Sequence, residues 1–205
     1  MDFNSHLPLI AILRGIAPHE VGAHVGALIE SGIGLIEIPT NSPSWREGVE
    51  AALKAANGRA IVGAGTVLSL EDVDALAGTG AQLMVTPNTD AEVIARAVSR
   101  GLYCAVGFAT ASEAFIALKA GAQSLKLFPA SAFGPGYVRA LKAVLPHEVP
   151  LFAVGGITRG NLPDFLAAGC RGAGLGGDLY TPGQSAEVTS QRARSFVETY
   201  QSLQP

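Results

Sequence analysis

The sequence predicts a closed (β/α)8 barrel, and three observations carry that reading. First, eight short aliphatic or β-branched runs recur along the 205 residues: Leu9–Gly15, Ile33–Thr40, Ala60–Thr66, Gln82–Asn88, Tyr103–Ala109, Ser124–Ala130, Pro150–Gly156 and Gly172–Asp178. Their spacing of roughly 20 to 30 residues is that of one strand–helix unit. Second, the stretches between them are alanine-rich and carry helix start and stop signals. Third, no glycine fingerprint of an open doubly wound sheet is completed. Gly63-Ala-Gly65 is followed by Leu68, and Gly174-Leu-Gly176 by Leu179, where a third glycine would stand. Eight alternations without a linker or composition break predict one domain over residues 1–205, near the lower size limit for this architecture.

The helix entries follow from local chemistry. Pro18 leads into Glu20–Ser31, its fixed φ suiting a first helical turn. Ser69 precedes Leu70-Glu-Asp-Val, and Asn88 and Thr89 precede Asp90–Arg100. Thr110-Ala-Ser-Glu113 has the spacing of a capping box. The exits are Ser31-Gly32, Asn57-Gly58, Arg100-Gly101, Ala120-Gly121 and Ala168-Gly169, each with glycine where a helix turns left-handed to stop.

Composition narrows the function classes. The chain is 48% hydrophobic and 15% charged, with 14 basic residues and a net charge of −3. No basic patch interleaved with aromatics marks a nucleic-acid partner. No apolar run approaches the roughly 20 residues of a membrane span, and Met1 to His6 has no leader pattern, so a soluble cytoplasmic protein is the expectation. Cys104 and Cys170 each lie in apolar stretches and read as reduced packing residues. Histidines 6, 19, 24 and 147 are scattered outside the strands, with no H-x-H, H-E-x-x-H or C-x-x-C spacing, so no metal site is expected. No G-x-S-x-G elbow is present. Asp72 and Asp74 read as a solvated helix face, and Trp45 as packing at a helix start.

Within the apolar runs a few polar residues stand out. Lys126 sits in Ser124-Leu-Lys-Leu-Phe-Pro-Ala130, where burial would disfavour the ammonium and leave free amine near neutral pH. A lysine at a strand end can also snorkel to water. Alternation places Lys126 with Ser124 and Phe128, Glu37 with Leu35, and Arg14 with Ile10 and Ile12. It places Thr66 with Val62 and Ala64, and Thr86 with Met84. All five lie near the C-terminal halves of their strands, the end at which barrels of this kind carry their active sites. Glu37 reads either as a structural partner of Arg14 or Lys126, or as a general acid/base beside the lysine. Val154-Gly155-Gly156 ends the seventh run, and the eighth holds Gly172-Ala-Gly-Leu-Gly-Gly177. Glycines there read either as close packing or as backbone N–H groups open to an anion.

With these residues placed, the chain resembles the class I aldolases of 2-keto-3-deoxy-6-phospho-sugar acids. The resemblance runs through Leu9-Ile-Ala-Ile-Leu-Arg-Gly15, Ile36-Glu-Ile-Pro39, Val62-Gly-Ala-Gly-Thr-Val67, Val85-Thr-Pro-Asn88, Leu125-Lys-Leu-Phe-Pro-Ala130 and Val154-Gly-Gly-Ile-Thr158. It is nearest to the galactonate-type branch, because Val154 stands where gluconate-type members carry threonine. The resemblance implies Schiff-base cleavage of a phosphorylated keto-deoxy sugar acid to pyruvate and glyceraldehyde 3-phosphate, without a cofactor, in a homotrimer. Lys126 would form the imine and Glu37 would move protons. Arg14 and Thr66 would hold the carboxylate end, and Val154 would help set C4 stereochemistry. Gly155, Gly156, Gly176 and Gly177 would receive the phosphate. One departure is Gly177, where the family commonly has serine. The gluconate epimer, a phosphosugar epimerase or isomerase, and a non-catalytic phosphosugar-binding barrel stand as alternatives.

Overall fold

The computed structural model describes residues 3–203, so the first two and last two residues of the domain assigned from sequence lie outside it. Eight parallel strands close in sequence order: β1 (Leu9–Ile12), β2 (Leu35–Pro39), β3 (Ile61–Gly65), β4 (Leu83–Val85), β5 (Tyr103–Phe108), β6 (Ser124–Leu127), β7 (Leu151–Val154) and β8 (Gly172–Leu175). The ring closes where Leu9, Ile10 and Ala11 of β1 pair with Ala173, Gly174 and Leu175 of β8. The helices between and after them are α1 (Pro18–Glu30), α2 (Trp45–Ala56), α3 (Leu70–Gly78), α4 (Ala91–Ser99), α5 (Ala111–Lys119), α6 (Ala130–Lys142), α7 (Leu162–Ala167) and α8 (Ala186–Gln201). Each expected strand is present but ends earlier than its apolar run, because the last residues of the run form the loop at the C-terminal mouth.

The helix signals act as their chemistry requires. Ser69 Oγ accepts from Asp72 N at 3.1 Å, and Glu113 returns its carboxylate to the N–H of Thr110 at 2.7 Å. Asp90 is the cap of α4 rather than its first residue, accepting from Glu92 N and Val93 N. Gly32, Gly58, Gly101, Gly121 and Gly169 all have φ between +76° and +109° just past a helix end. In α6 the helix is broken at Gly134 (φ 74°, ψ 170°), immediately before Pro135.

Two apolar layers hold the barrel. The larger lies between the sheet and the helices, where Leu13, Val25, Ile36, Val62, Met84, Val106, Leu125 and Phe196 pack. The smaller fills the lumen with Ile10, Ile12, Leu35, Ile61, Leu83, Val85, Phe152 and Val154. Phe3 stacks on Tyr103 at 3.9 Å and meets Phe152 edge-on, closing the N-terminal end of the lumen. Burial pushes the thiols of Cys104 and Cys170 up to about 12, so both pack as small apolar groups. Trp45 is the first residue of α2 and packs half-buried on the core. Asp72 and Asp74 lie on α3, where Asp74 forms a partly exposed ion pair with Arg100 at 2.7 Å. No helix among the described residues is long and apolar enough to cross a membrane.

Candidate active site

Parallel pairing sets the depth of each lumen side chain. Ile12 pairs with Glu37, Glu37 with Gly63, Gly107 with Lys126, and Lys126 with Phe152. Each buried charge therefore has a glycine beside it in the ladder. The reason is space. A Cβ on Gly65 would sit inside the Glu37 carboxylate, and one on Gly63 or Gly107 would strike the backbone of Leu83 or Pro87. These glycines narrow the wall so that two long side chains can occupy the mouth.

Arg14, Glu37, Thr66, Lys126, Val154, Gly155, Gly156, Gly176 and Gly177 all line one cavity of about 700 Å³ at the C-terminal mouth. That volume is in the range that encloses a small organic substrate. Phe128, Pro87, Ile12, Ile157, Thr158 and Asp178 complete the wall. The side chains reach it by different routes. Arg14 lies just past β1 and donates to Asn41 Oδ1 at 2.8 Å, while Ser42 Oγ accepts from Gly15 N at 2.9 Å, tying the two loops together. Thr66 is a correction to simple alternation. Val62 and Ala64, its expected companions, face the helices; Thr66 turns into the cavity because it follows β3 with φ +57°. Thr40 Oγ1 holds that strained residue by donating to its carbonyl at 2.6 Å.

Thr86 does not join the cavity wall. Its hydroxyl donates to Asn88 O at 2.6 Å and accepts from Gly107 N at 3.0 Å, stitching the end of β4 to β5. Its burial and its position near the rim reflect a backbone partner, not a ligand.

The two ionisable groups in the lumen are strongly perturbed. Glu37 is 2% exposed, and burial pushes its carboxyl up to about 7 against the opposing pull of Lys126 and Arg14. Lys126 is 6% exposed, and burial brings its amine down to about 8, with Glu37 opposing and Arg14 reinforcing the shift. No ion pair joins Lys126 or Arg14 directly to Glu37 among the described residues. Glu37 Oε2 is buried with no hydrogen-bond partner among the described residues. That oxygen lies beside Gly65, so a residue that lines the cavity keeps a carboxylate acceptor unfilled by the protein. Lys126 Nζ lies 5.1 Å from the centre of the Phe128 ring, whose face favours a cation such as a protonated imine.

Between β6 and β1 the wall is largely backbone. Gly155 and Gly156 have φ of +95° and +71°, consecutive left-handed positions that place successive N–H groups on one side. A Cβ on Gly156 would lie 2.5 Å from Ser131 Oγ. The N–H groups of Gly156, Gly177 and Asp178 have no backbone acceptor among the described residues. Concave, unpaired N–H groups at the ends of the seventh and eighth strands suit a phosphate. Val154, 4% exposed, presents an apolar surface between these glycines and Lys126, its methyl groups lying over Gly174. No group of three or more His, Cys, Asp or Glu side chains gathers among the described residues.

Sequence comparison agrees with this geometry. The chain is 58% identical over 200 residues to 2-dehydro-3-deoxy-6-phosphogalactonate aldolase of Escherichia coli K12, covering 98% of each chain. It is 46% identical to a probable 2-dehydro-3-deoxy-6-phosphogalactonate aldolase of Rhizobium meliloti, covering 96% of this chain and 92% of the relative. A solved structure described as native KDPGal superposes with a TM-score of 0.96 at 57% identity, over 99% of this chain and 98% of that one. The KDPG and KHG aldolase family matches residues 3–190, and this chain, with its barrel closed around a buried lysine and glutamate, belongs to that family of lyases.

Proposed function

We propose that the chain cleaves 2-dehydro-3-deoxy-6-phosphogalactonate to pyruvate and D-glyceraldehyde 3-phosphate through a Schiff base on Lys126. The observation that carries this reading is the shared cavity of Lys126, Glu37 and the glycine turns after β7 and β8. A lysine amine brought down to about 8 presents a useful fraction of nucleophile at neutral pH. Its Nζ attacks the C2 ketone, and loss of water leaves a protonated imine. Glu37 takes the proton of the C4 hydroxyl as the C3–C4 bond breaks, its electrons flowing into the imine to give an enamine. The aldehyde leaves. Glu37 returns a proton to C3, water adds at C2, and Lys126 departs as the free amine, releasing pyruvate. The water lost on forming the imine is thus regained, and the imine supplies the electron sink.

Arg14, fixed by Asn41, and Thr66, fixed by Thr40, are assigned to the substrate carboxylate. The open N–H groups around Gly155, Gly156, Gly176 and Gly177 are assigned to the 6-phosphate. Arg14 and Thr66 follow β1 and β3 and the glycine turns follow β7 and β8, so we place the substrate across the mouth with C2 at the Lys126 amine. Val154 supports the galactonate epimer, because it offers methyl groups and no hydroxyl to the C4 side of that span. The high identity to relatives bearing that name supports the same choice. We also assign the chain to a homotrimer in the cytoplasm; exposed Phe115 and Ile116 of α5 and Phe133 of α6 supply apolar surface for association.

The test is a pair of cleavage assays on the two C4 epimers. The galactonate compound is expected to react with the larger kcat/KM, and Val154→Thr to narrow the gap. Equal or reversed rates in the wild type would remove the epimer assignment while leaving the aldolase chemistry in place.

A further inference from the structure

Behind the turn Gly176–Asp178 lies a second cavity, of about 290 Å³, that shares Gly177 and Asp178 with the active-site mouth. Its other walls include Arg159, from the loop after β7, and Arg192 and Ser195 of α8. Two guanidinium groups against one carboxylate leave this corner with a net positive charge, on a chain whose overall charge is −3.

Arg192 is not a loose surface cation. Its Nη1 donates to Gln184 Oε1 at 3.0 Å and to the carbonyl of Gly177 at 3.4 Å. Gln184 is fixed in turn, its Nε2 donating to Leu179 O at 2.9 Å and to Thr189 Oγ1 at 2.7 Å. Thr189 is joined to the buried ring of His24 in α1, Nδ1 to Oγ1, at 2.8 Å. The arginine is therefore anchored through three side chains to the outer layer of the barrel.

The contact with Gly177 has a directional consequence. In a trans peptide the C=O and N–H point in opposite directions. With the Gly177 carbonyl turned to Arg192, the N–H of Asp178 points away from it. Asp178 also lines the active-site mouth, and its N–H has no backbone acceptor among the described residues. Gly177 has no hydroxyl to offer an anion, so the peptide N–H groups and the nearby positive charge carry the recognition.

Resting on the phosphorylated-substrate reading above, we propose that Arg159 and Arg192 complete the phosphate end of the site. Arg192 is a positioning residue that sets the Gly177–Asp178 peptide, and the two arginines together supply the charge that neutral glycine amides lack. Asp178 opposes them, so its charge tunes the affinity downward.

The experiment compares wild type, Arg159→Ala/Arg192→Ala, Arg192→Lys and Asp178→Asn. For each, kcat and KM are measured on the phosphorylated substrate and on its unphosphorylated counterpart, with inhibition by inorganic phosphate. The double variant is expected to raise KM for the phosphorylated substrate and the phosphate inhibition constant by about tenfold or more, the scale of a lost charge-assisted contact. Its kcat and its kcat/KM on the unphosphorylated substrate should change far less. Arg192→Lys should recover part of the loss, and Asp178→Asn should tighten phosphate inhibition. Unchanged phosphate inhibition in the double variant would overturn the proposal, as would equal losses on both substrates, which would mark a merely structural role. Phosphate binding to each protein, measured by calorimetry without turnover, separates this outcome from failure of the aldolase reading: absence of cleavage by the wild type sinks the function, whereas equal phosphate affinity of wild type and double variant sinks only the arginines.

Discussion

The two sides of the barrel mouth solve opposite problems. At β2 and β6, the charged side chains of Glu37 and Lys126 are sunk into an apolar lumen, and glycines on neighbouring strands make room for them. At the ends of β7 and β8, Gly155, Gly156, Gly176 and Gly177 bring the backbone itself to the cavity, beside the side chains of Val154, Thr158 and Asp178. The first arrangement shifts proton affinities, because burial penalises charge on both Glu37 and Lys126. The second leaves fixed dipoles that need no protonation change to hold an anion. The proposed chemistry sits where burial is severe, and the proposed phosphate binding where backbone faces the cavity. Each side should therefore respond to mutation in its own way.

The largest expected effect is Lys126→Met. Removing the nucleophile should lower kcat/KM on the order of 10⁴-fold or more. The melting temperature should hold or rise, because an apolar side chain replaces a buried ammonium in a lumen already lined by Phe128 and Phe152. Steady-state assays and thermal melts on the same preparation check both halves. Glu37→Gln is next. It keeps the shape and removes the proton acceptor, and cleavage should fall by about 10² to 10⁴, while imine formation with pyruvate persists. A variant with full cleavage activity would reduce Glu37 to a structural partner of the cations.

The pH dependence sharpens the same side. Lys126 is nucleophilic only as the free amine, so the rate of imine formation with pyruvate should climb as pH rises through about 8 and level above it. Between pH 7 and 9 the gain should be roughly tenfold, read by stopped borohydride trapping. A flat profile would mean the amine is not titrating in that window. The smallest effect belongs to the backbone side. A Cβ on Gly177 meets nothing within 4 Å, so Gly177→Ser is tolerated sterically and adds one hydroxyl at the proposed phosphate position. The inhibition constant of inorganic phosphate should fall by a factor of about 3 to 10, the worth of one hydrogen bond.

The two sides also differ in how much of them the chain of residues discloses. Lys126 and Glu37 are legible because a charge inside an apolar run conflicts with its surroundings, and strand alternation then points both into the lumen. Barrel closure follows from eight evenly spaced runs, and the helix ends from glycines whose positive φ the structure shows. Alternation misassigns Thr66, since a left-handed residue after β3 reverses its direction, and it overvalues Thr86, whose hydroxyl is consumed by Asn88 and Gly107. Strand lengths are overestimated because apolar residues continue into the mouth loops. Alternation places Phe128 on the Lys126 face, and both line the cavity; Thr158 and Asp178 go unmarked as wall residues, since each lies past a strand end where period-2 reasoning no longer applies. Asparagine at 41 and arginine at 192 carry no motif at all. Their contacts join elements 27 and 15 residues apart, and only the folded chain brings them together.

The proposed chemistry of the mouth depends above all on Lys126 being the imine-forming residue. Incubation with pyruvate and borohydride, followed by peptide mass mapping, tests it most directly. One stable pyruvate-derived adduct on Lys126 is expected, with loss of activity in proportion to labelling. Active protein that gains no adduct, or an adduct mapped to another lysine, would contradict it.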